Sequence, residues 1–391
     1  MQLPRPVFEP VVDQHESWLA LNPRQGCPKA CTYCFLKDRG LTRVRPTELA
    51  AADDAVRQLL TSPYYHPEAA VALYTCTDAL ATPPNRRHLI RLLDALAAAL
   101  VPNPLVMITK CAVTDDVLDS VVRNRDTHGQ RVIVYLSYSG LGPTIELGID
   151  HQALRANFPR LHAAGVPIVH YWRPALPDNS SPDSIETVLG LATRYADCSV
   201  SIGLKVPPGS RHQMEELWPA LAHPDLDPES ADSIWPDADW EALRNVPARY
   251  AGHPIYQTNS CALAHVLHQP DRFRVLDTPT CRHVNRCPTE QRTLCTAAAR
   301  ETPPITENAI TQHLTKLGHP GIPYHWDAQN RTLTIDVPVD RRVCLNTSQV
   351  LQLTVHAQRR PQDPYWTSRF NGSRTLIVEA EQRQWPPTQS P

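Results

Sequence analysis

An α/β fold is expected for residues 15–210, on two observations. Short apolar runs alternate there with helix-length amphipathic segments six times over, the pattern of a parallel sheet with crossover helices. The run at residues 70–76 is compactly apolar, as in a strand buried on both faces. Right-handed crossovers between such strands favour an open or closed α/β barrel.

The elements follow in order. Residues 17–21 form the first strand, which leads into a cysteine-bearing loop. A helix starts near Pro46, with Leu49, Ala52, Val56, Leu59 and Leu60 as its apolar positions. Residues 70–76 are a compact strand, and 85–100 a helix with Leu89, Ile90, Leu92, Leu93, Leu96 and Leu100 on a broad apolar face. A strand at 104–110, a helix at 115–123 and a strand at 132–139 come next. The helix at 151–163, stopped by Gly165, leads to a strand at 166–173; a helix at 183–195 leads to a strand at 199–206. In folds of this kind chemistry gathers at the carboxyl ends of the strands.

Beyond Pro207 the pattern weakens. Residues 207–250 are polar, with a helix near 211–221, and 256–300 hold four cysteines outside any clear strand or helix pattern. From about Thr302 a small α+β appendage is expected: a helix at 308–317, a hairpin of 323–326 and 332–337 around 327–330, and strands at 350–356 and 375–379, with a disordered tail after Trp385. The organisation is therefore 15–210, 211–300 and 301–391.

Composition excludes several functions. The formal charge is −2, from 38 basic and 40 acidic residues, so a whole-chain cationic surface for nucleic acid is absent. No run of eighteen apolar residues occurs and the amino terminus has no signal pattern, so a cytosolic protein without a membrane span is expected. The 39 prolines and the excess of arginine over lysine are compositional bias, and arginine alone is weak evidence of phosphate binding. The 11 cysteines tell more: in a reducing compartment, clustered thiols point to metal rather than disulfides.

The stretch that decides the chemistry is Cys27-Pro28-Lys29-Ala30-Cys31-Thr32-Tyr33-Cys34, just after the first strand. A four-iron–four-sulfur cubane takes four thiolates when fully protein-bound. Three on one short loop reach three irons and leave the fourth open to a small amino-acid-like ligand. Zinc is the competing reading, yet no histidine or fourth cysteine stands nearby.

This Cys-x3-Cys-x2-Cys spacing, with Tyr33 before the last cysteine, resembles the radical S-adenosylmethionine superfamily. The resemblance covers residues 15–210 and implies a partial (β/α)6 barrel, a 4Fe-4S cluster on Cys27, Cys31 and Cys34, and S-adenosyl-L-methionine bound through its methionine end. It also implies reductive cleavage of that cofactor to a 5′-deoxyadenosyl radical, which takes hydrogen from a substrate. An electron donor such as flavodoxin or ferredoxin follows from the same chemistry.

The strand ends fit that likeness. Thr77 and Asp78 stand where the family has a Gly-Gly-Glu-like segment, and they look like the Thr-Asp form of the spore photoproduct lyase-like subgroup. A carboxylate there suits the cofactor's ammonium, while a surface helix cap is the plainer reading. Ser137 or Ser139 offers a hydroxyl to the ribose or carboxylate, and Lys110 can neutralise a carboxylate; turn serines and a solvated lysine are the alternatives. On the fifth strand Tyr171 and Arg173 share one face, opposite His170, Trp172 and Pro174. Arg173 is then a bidentate carboxylate grip and His170 a packed histidine. Lys205 is a weaker version of Arg173.

A second group comprises Cys261, Cys281, Cys287 and Cys295. An auxiliary four-iron–four-sulfur cluster, a zinc site aided by His265, His268 or His283, and unligated thiols are all open for it. Cys76, Cys111, Cys198 and Cys344 read as small buried hydrophobes, although Cys111, directly after the Lys110 strand end, keeps a lesser claim to a role. The substrate is expected to be a peptide or small metabolite. Nucleic-acid modification or repair of the spore photoproduct lyase type is a rival disfavoured by the charge, and a zinc-stabilised interaction module is the non-catalytic alternative.

Overall fold

The computed structural model describes residues 6–204, 211–219, 246–256, 258–271 and 287–359. They divide into two compact units, the first taking in residues up to 13, 18–202 and 246–253, and the second 14–17 and the rest. No helix among the described residues is long and apolar enough to cross a membrane.

In the first unit, β1 (Leu19–Leu21) is followed by the short β2 (Ala30–Cys31) and helix α1 (Ala52–Thr61). Then come β3 (Val71–Leu73), α2 (Pro83–Ala98), β4 (Leu105–Thr109), α3 (Asp115–His128) and β5 (Val132–Leu136). The short β6 (Glu146–Leu147) precedes α4 (His151–Ala163), β7 (Ile168–Ala175), α5 (Pro182–Tyr195) and β8 (Cys198–Gly203). Strands β1, β3, β4, β5, β7 and β8 lie side by side in that order, so each helix links neighbours. The pairings from β1 through β7 are parallel. Leu19, Leu21, Val71, Val106, Val134 and Val169 have no exposed surface, which explains why these strands read as unbroken apolar runs.

The helices start where their side chains cap them. Thr82 accepts from the Asn85 N–H ahead of two prolines in the first turn of α2, and Asp150 does the same for Ala153 in α4. Leu89, Leu92, Leu93 and Leu96 of α2 are buried, each worth about 1.5–3 kcal/mol of apolar burial. Leu100 lies beyond the helix in a left-handed conformation and is 78% exposed.

One helix begins later than its periodicity suggests. Thr47–Glu48 pair antiparallel with Arg24–Gln25, and the Leu49 and Ala50 N–H groups bond Pro23 O. That strand pairing removes the first turn, so α1 starts at Ala52, with Leu49 and Leu60 exposed.

On β7 the faces divide as alternation requires. His170 and Trp172 stack at 6.4 Å, and His170 meets Phe158 of α4 at 6.0 Å. On the other face Tyr171 meets Tyr135, which meets Trp18, in edge-to-face pairs at 5.6 and 5.9 Å.

In the second unit, α6 (Asn259–Val266) and α7 (Thr289–Glu301) carry Cys261 and Cys295. This corrects the expectation of an irregular cysteine region. Helix α8 (Glu307–Lys316) precedes a hairpin of β9 (Tyr324–Asp327) and β10 (Thr332–Val339), then α9 (Arg341–Leu351) and β11 (Thr354–Arg359), which joins β10 in parallel. Residues 350–356 are therefore not one strand. Val350 ends a helix whose N-cap Asp340 accepts from Arg342 N, and Gln352 breaks it in a left-handed conformation. The strand expected at 375–379 lies outside the described residues, as do the tail after Trp385, Lys205, Cys281 and His283.

Candidate functional site

The three-cysteine loop leaves the sheet through Gly26, whose φ of +97° suits glycine. A Cβ there would meet Val44 Cγ2 at 3.0 Å. Backbone bonds then shape the loop. Cys27 N donates to Leu41 O at 2.7 Å, Val44 N to Cys27 O at 3.1 Å and Cys34 N to Cys31 O at 3.2 Å. Phe35–Arg39 form a short 3₁₀ turn ended by Gly40 in the left-handed region. Leu36, Leu41 and Cys76 make a small apolar cluster beneath, against which Cys27, Cys34 and Phe35 pack.

A second set of bonds ties the loop to the segment after β5. Strand β2 pairs antiparallel with β6, setting Cys31 opposite Glu146 and Ala30 opposite Leu147. Thr32 N donates to Ile145 O at 2.9 Å, and Lys29 Nζ to Gly148 O. The loop is thereby fixed over the carboxyl ends of β3, β4 and β5.

The thiols sense one another. Burial pushes Cys27 up to about 11, aided by the Asp78 carboxylate and by Cys31, while the backbone amides of Lys29 and Asp78 pull the other way. Cys34 is raised by burial and then by Cys31 and Cys27. Cys31 is raised by burial and lowered by Lys110. Cys31 is buried and Cys27 and Cys34 are partly so; thiolates placed there would repel one another, and a cationic iron–sulfur core would offset that repulsion. Among the described residues no three His, Cys, Asp or Glu side chains converge closely enough to share a single metal ion. Ligands of a cubane each meet a different iron, so they need no common point.

The expected strand-end residues gather beside this loop. Thr77 is 8% exposed and donates to Gly26 O. Asp78 is an anchored carboxylate rather than a surface cap. Its oxygens accept from Thr109 Oγ1 at 2.9 and 3.0 Å, from Lys110 N at 2.8 Å and from Leu80 N at 2.9 Å. Cys111, read chiefly as a small hydrophobe with a lesser claim to a role, is half-buried and hydrogen-bonds Asp78; burial raises its thiol, with the Asp78 carboxylate next. Lys110 does meet a carboxylate, but one supplied by the protein: Nζ lies 2.7 Å from Glu146 Oε1, 2.9 Å from Ser137 O and 5.6 Å from the centre of the Tyr33 ring. Tyr33 Oη donates to the same Glu146 oxygen. Ser139 has no exposed surface; it donates to Glu146 Oε1 at 2.8 Å and accepts from Leu141 N, so its hydroxyl is engaged internally. Ser137 is 5% exposed and donates its N–H to Thr109 O.

Arg173 follows its alternation partner. Nη1 donates to Tyr171 Oη at 2.6 Å, and the guanidinium lies 5.7 Å from that ring's centre. His170 is the packed histidine expected, with no exposed surface.

Glu146 is the residue that sequence reading missed. Burial alone would raise its pKa, but Lys110, Tyr33 and Ser139 outweigh that and hold the carboxyl below the usual range. A signal was present: Ile145, Leu147 and Ile149 alternate with Glu146 and Gly148, the period of a short strand that turns its acid inward.

In the second unit, three of the four cysteines gather around Asp271. Cys261 Sγ donates to Asp271 Oδ2 at 3.3 Å, and Cys295 Sγ accepts from Asp271 N at 3.3 Å and from Gln291 Nε2 at 3.4 Å. Cys287 is pushed up to about 11 by burial and then by Cys295. Cys281 lies outside the described residues.

No family model matches this chain, and no curated protein matches it. Among solved structures it is similar to spore photoproduct lyase complexed with dinucleoside spore photoproduct, at 14% identity and a TM-score of 0.45, over 61% of this chain and 76% of that one. It is also similar to the radical S-adenosylmethionine methyltransferase TsrM from Kitasatospora setae, at 13% identity and a TM-score of 0.38, over 50% of this chain and 38% of that one. A radical SAM methyltransferase from Sphaerobacter thermophilus shares 13% identity at a TM-score of 0.36, over 55% of this chain and 67% of that one. Likenesses this distant leave the chemistry to this chain's own residues.

Proposed function

We propose that the chain is a cytoplasmic radical S-adenosylmethionine iron–sulfur enzyme with a partial-barrel core, acting on a peptide or small metabolite. The observation that carries this reading is the Cys27, Cys31 and Cys34 loop, knitted by the Cys31–Glu146 pairing over strand ends that present Asp78 and Lys110. When bound, a 4Fe-4S cluster on these thiolates would supply one electron to the sulfonium of S-adenosylmethionine, whose carbon–sulfur bond would break to give methionine and the 5′-deoxyadenosyl radical that would take a hydrogen atom from the substrate.

The chain's own groups bind and orient. Asp78, pre-ordered by Thr109 and by two backbone N–H groups, is an acceptor for an ammonium. Lys110 and Arg173 are cations for a carboxylate, Thr77 and Ser137 line the same strand ends, and Tyr33 and Ser139 act through Glu146. Burial of these groups excludes water, which strengthens each charge–charge contact. A flavodoxin or ferredoxin is the partner that delivers the electron. The gathering of Cys261, Cys287 and Cys295 around Asp271 supports a second iron–sulfur centre.

Anaerobic reconstitution with iron and sulfide, followed by an assay for 5′-deoxyadenosine, tests the reading. The wild-type chain is expected to form it and Cys31→Ala to form none. Equal formation by the variant, or zinc without iron and acid-labile sulfide in the native protein, would falsify the assignment.

A further inference from the structure

Glu146 has a side chain with no exposed surface. A carboxylate withdrawn from water is costly, and an apolar residue of similar volume is often at least as stable there. Its retention beside the cysteine loop therefore points to work that packing alone does not require.

Its geometry is specific. Lys110 Nζ at 2.7 Å, Ser139 Oγ at 2.8 Å and Tyr33 Oη all donate to Oε1. The backbone of Glu146 is paired with Cys31, so the carboxylate is held in register with the loop. An ammonium has three N–H donors. On Lys110 one goes to Glu146 and one to Ser137 O at 2.9 Å, and two such bonds fix the direction of the third. The Lys110 side chain keeps 16% of its surface exposed, whereas Glu146 keeps none. The acid thus faces inward as a brace, and the cation retains an open side.

We infer that Glu146 is a positioning residue: it aims the remaining N–H of Lys110 at the carboxylate end of the bound cofactor. This rests on the S-adenosylmethionine reading above. Glu146 touches neither cofactor nor substrate and acts through Lys110.

The test is equilibrium dialysis of the iron-loaded, unreduced full chain with two probes, S-adenosylmethionine and its decarboxylated analogue. Glu146→Gln keeps the shape but removes the charge that orients Lys110. It is expected to weaken S-adenosylmethionine binding about tenfold, the scale of one charge-assisted hydrogen bond. Binding of the decarboxylated analogue is expected to stay within about twofold, since Lys110 has no carboxylate to meet there. Equal loss for both probes would show that Glu146 only props up the loop, and no loss for either would remove its role; each overturns the inference. If Glu146→Gln fails to hold iron, Glu146→Asp, which keeps a buried charge but draws it back from Lys110 by one methylene, goes through the same comparison with the same expected selectivity. A wild-type chain that loads iron–sulfur but binds neither probe overturns the cofactor reading, and this inference with it.

Discussion

Changing His170 to Gln silences a buried proton-binding site, and its neighbours set the size of the effect. His170 Nε2 lies 2.9 Å from Tyr138 O, Nδ1 lies 2.8 Å from Ser199 Oγ, and Ser199 Oγ lies 2.8 Å from His253 Nε2. A carbonyl can only accept, so the neutral ring carries its proton on Nε2 and accepts the Ser199 hydroxyl at Nδ1. Burial pushes His170 down from 6.5 to about 4. At 1.36 kcal/mol per unit, that gap is worth about 3 kcal/mol. Between those values the unfolded chain binds a proton that the folded chain refuses. Stability from this residue is therefore whole above about pH 6.5, falls as the pH drops toward 4 and levels off below it. Glutamine offers a donor and an acceptor but does not titrate, and both proteins share every other ionisable group. Urea unfolding of the two proteins across that range should show the wild-type advantage shrinking by about 3 kcal/mol. A gap that stays constant would refute the reasoning.

Two further outcomes are expected. Replacing Cys261, Cys287 and Cys295 together by Ala should remove about four irons per chain while the first centre's absorbance persists; unaltered iron counts would dismiss the second centre. Leu92→Ala, at a position of α2 with no exposed surface, should cost about 2–5 kcal/mol in urea unfolding without altering the iron content of the folded protein, and a loss under 1 kcal/mol (about a single exposed contact) would contradict the packing described for α2.

Sequence pattern was a good guide where one physical cause dominates. Helix α4 matches its expected span, because Asp150 caps its start and no competing partner interferes. The parallel strands announced themselves by burial on both faces. Pattern misled where a distant partner intervened: Thr47 and Glu48 joined Arg24 and Gln25 as strands, shortening a helix that periodicity had extended. Helix α9 was hidden because Val350 sits at its end and looks continuous with the strand Thr354–Arg359. At the site, the spacing of the three cysteines and the strand-end places of Asp78 and Lys110 are visible in the sequence, while the roles expected of them came with the resemblance. Glu146 was not legible, because its meaning lies in Tyr33, Lys110 and Ser139, which approach it from three separate segments. A lone acid in a loop carries no mark of the donors that will surround it.

The pairing of Cys31 with Glu146 uses main-chain atoms rather than side chains. The segment that bears the three thiols is thus tied to its neighbour by the polypeptide itself. On the iron–sulfur reading proposed above, loss of the cluster to oxygen would leave those main-chain bonds to be made as before, so that regaining it would call for iron, sulfide and reductant.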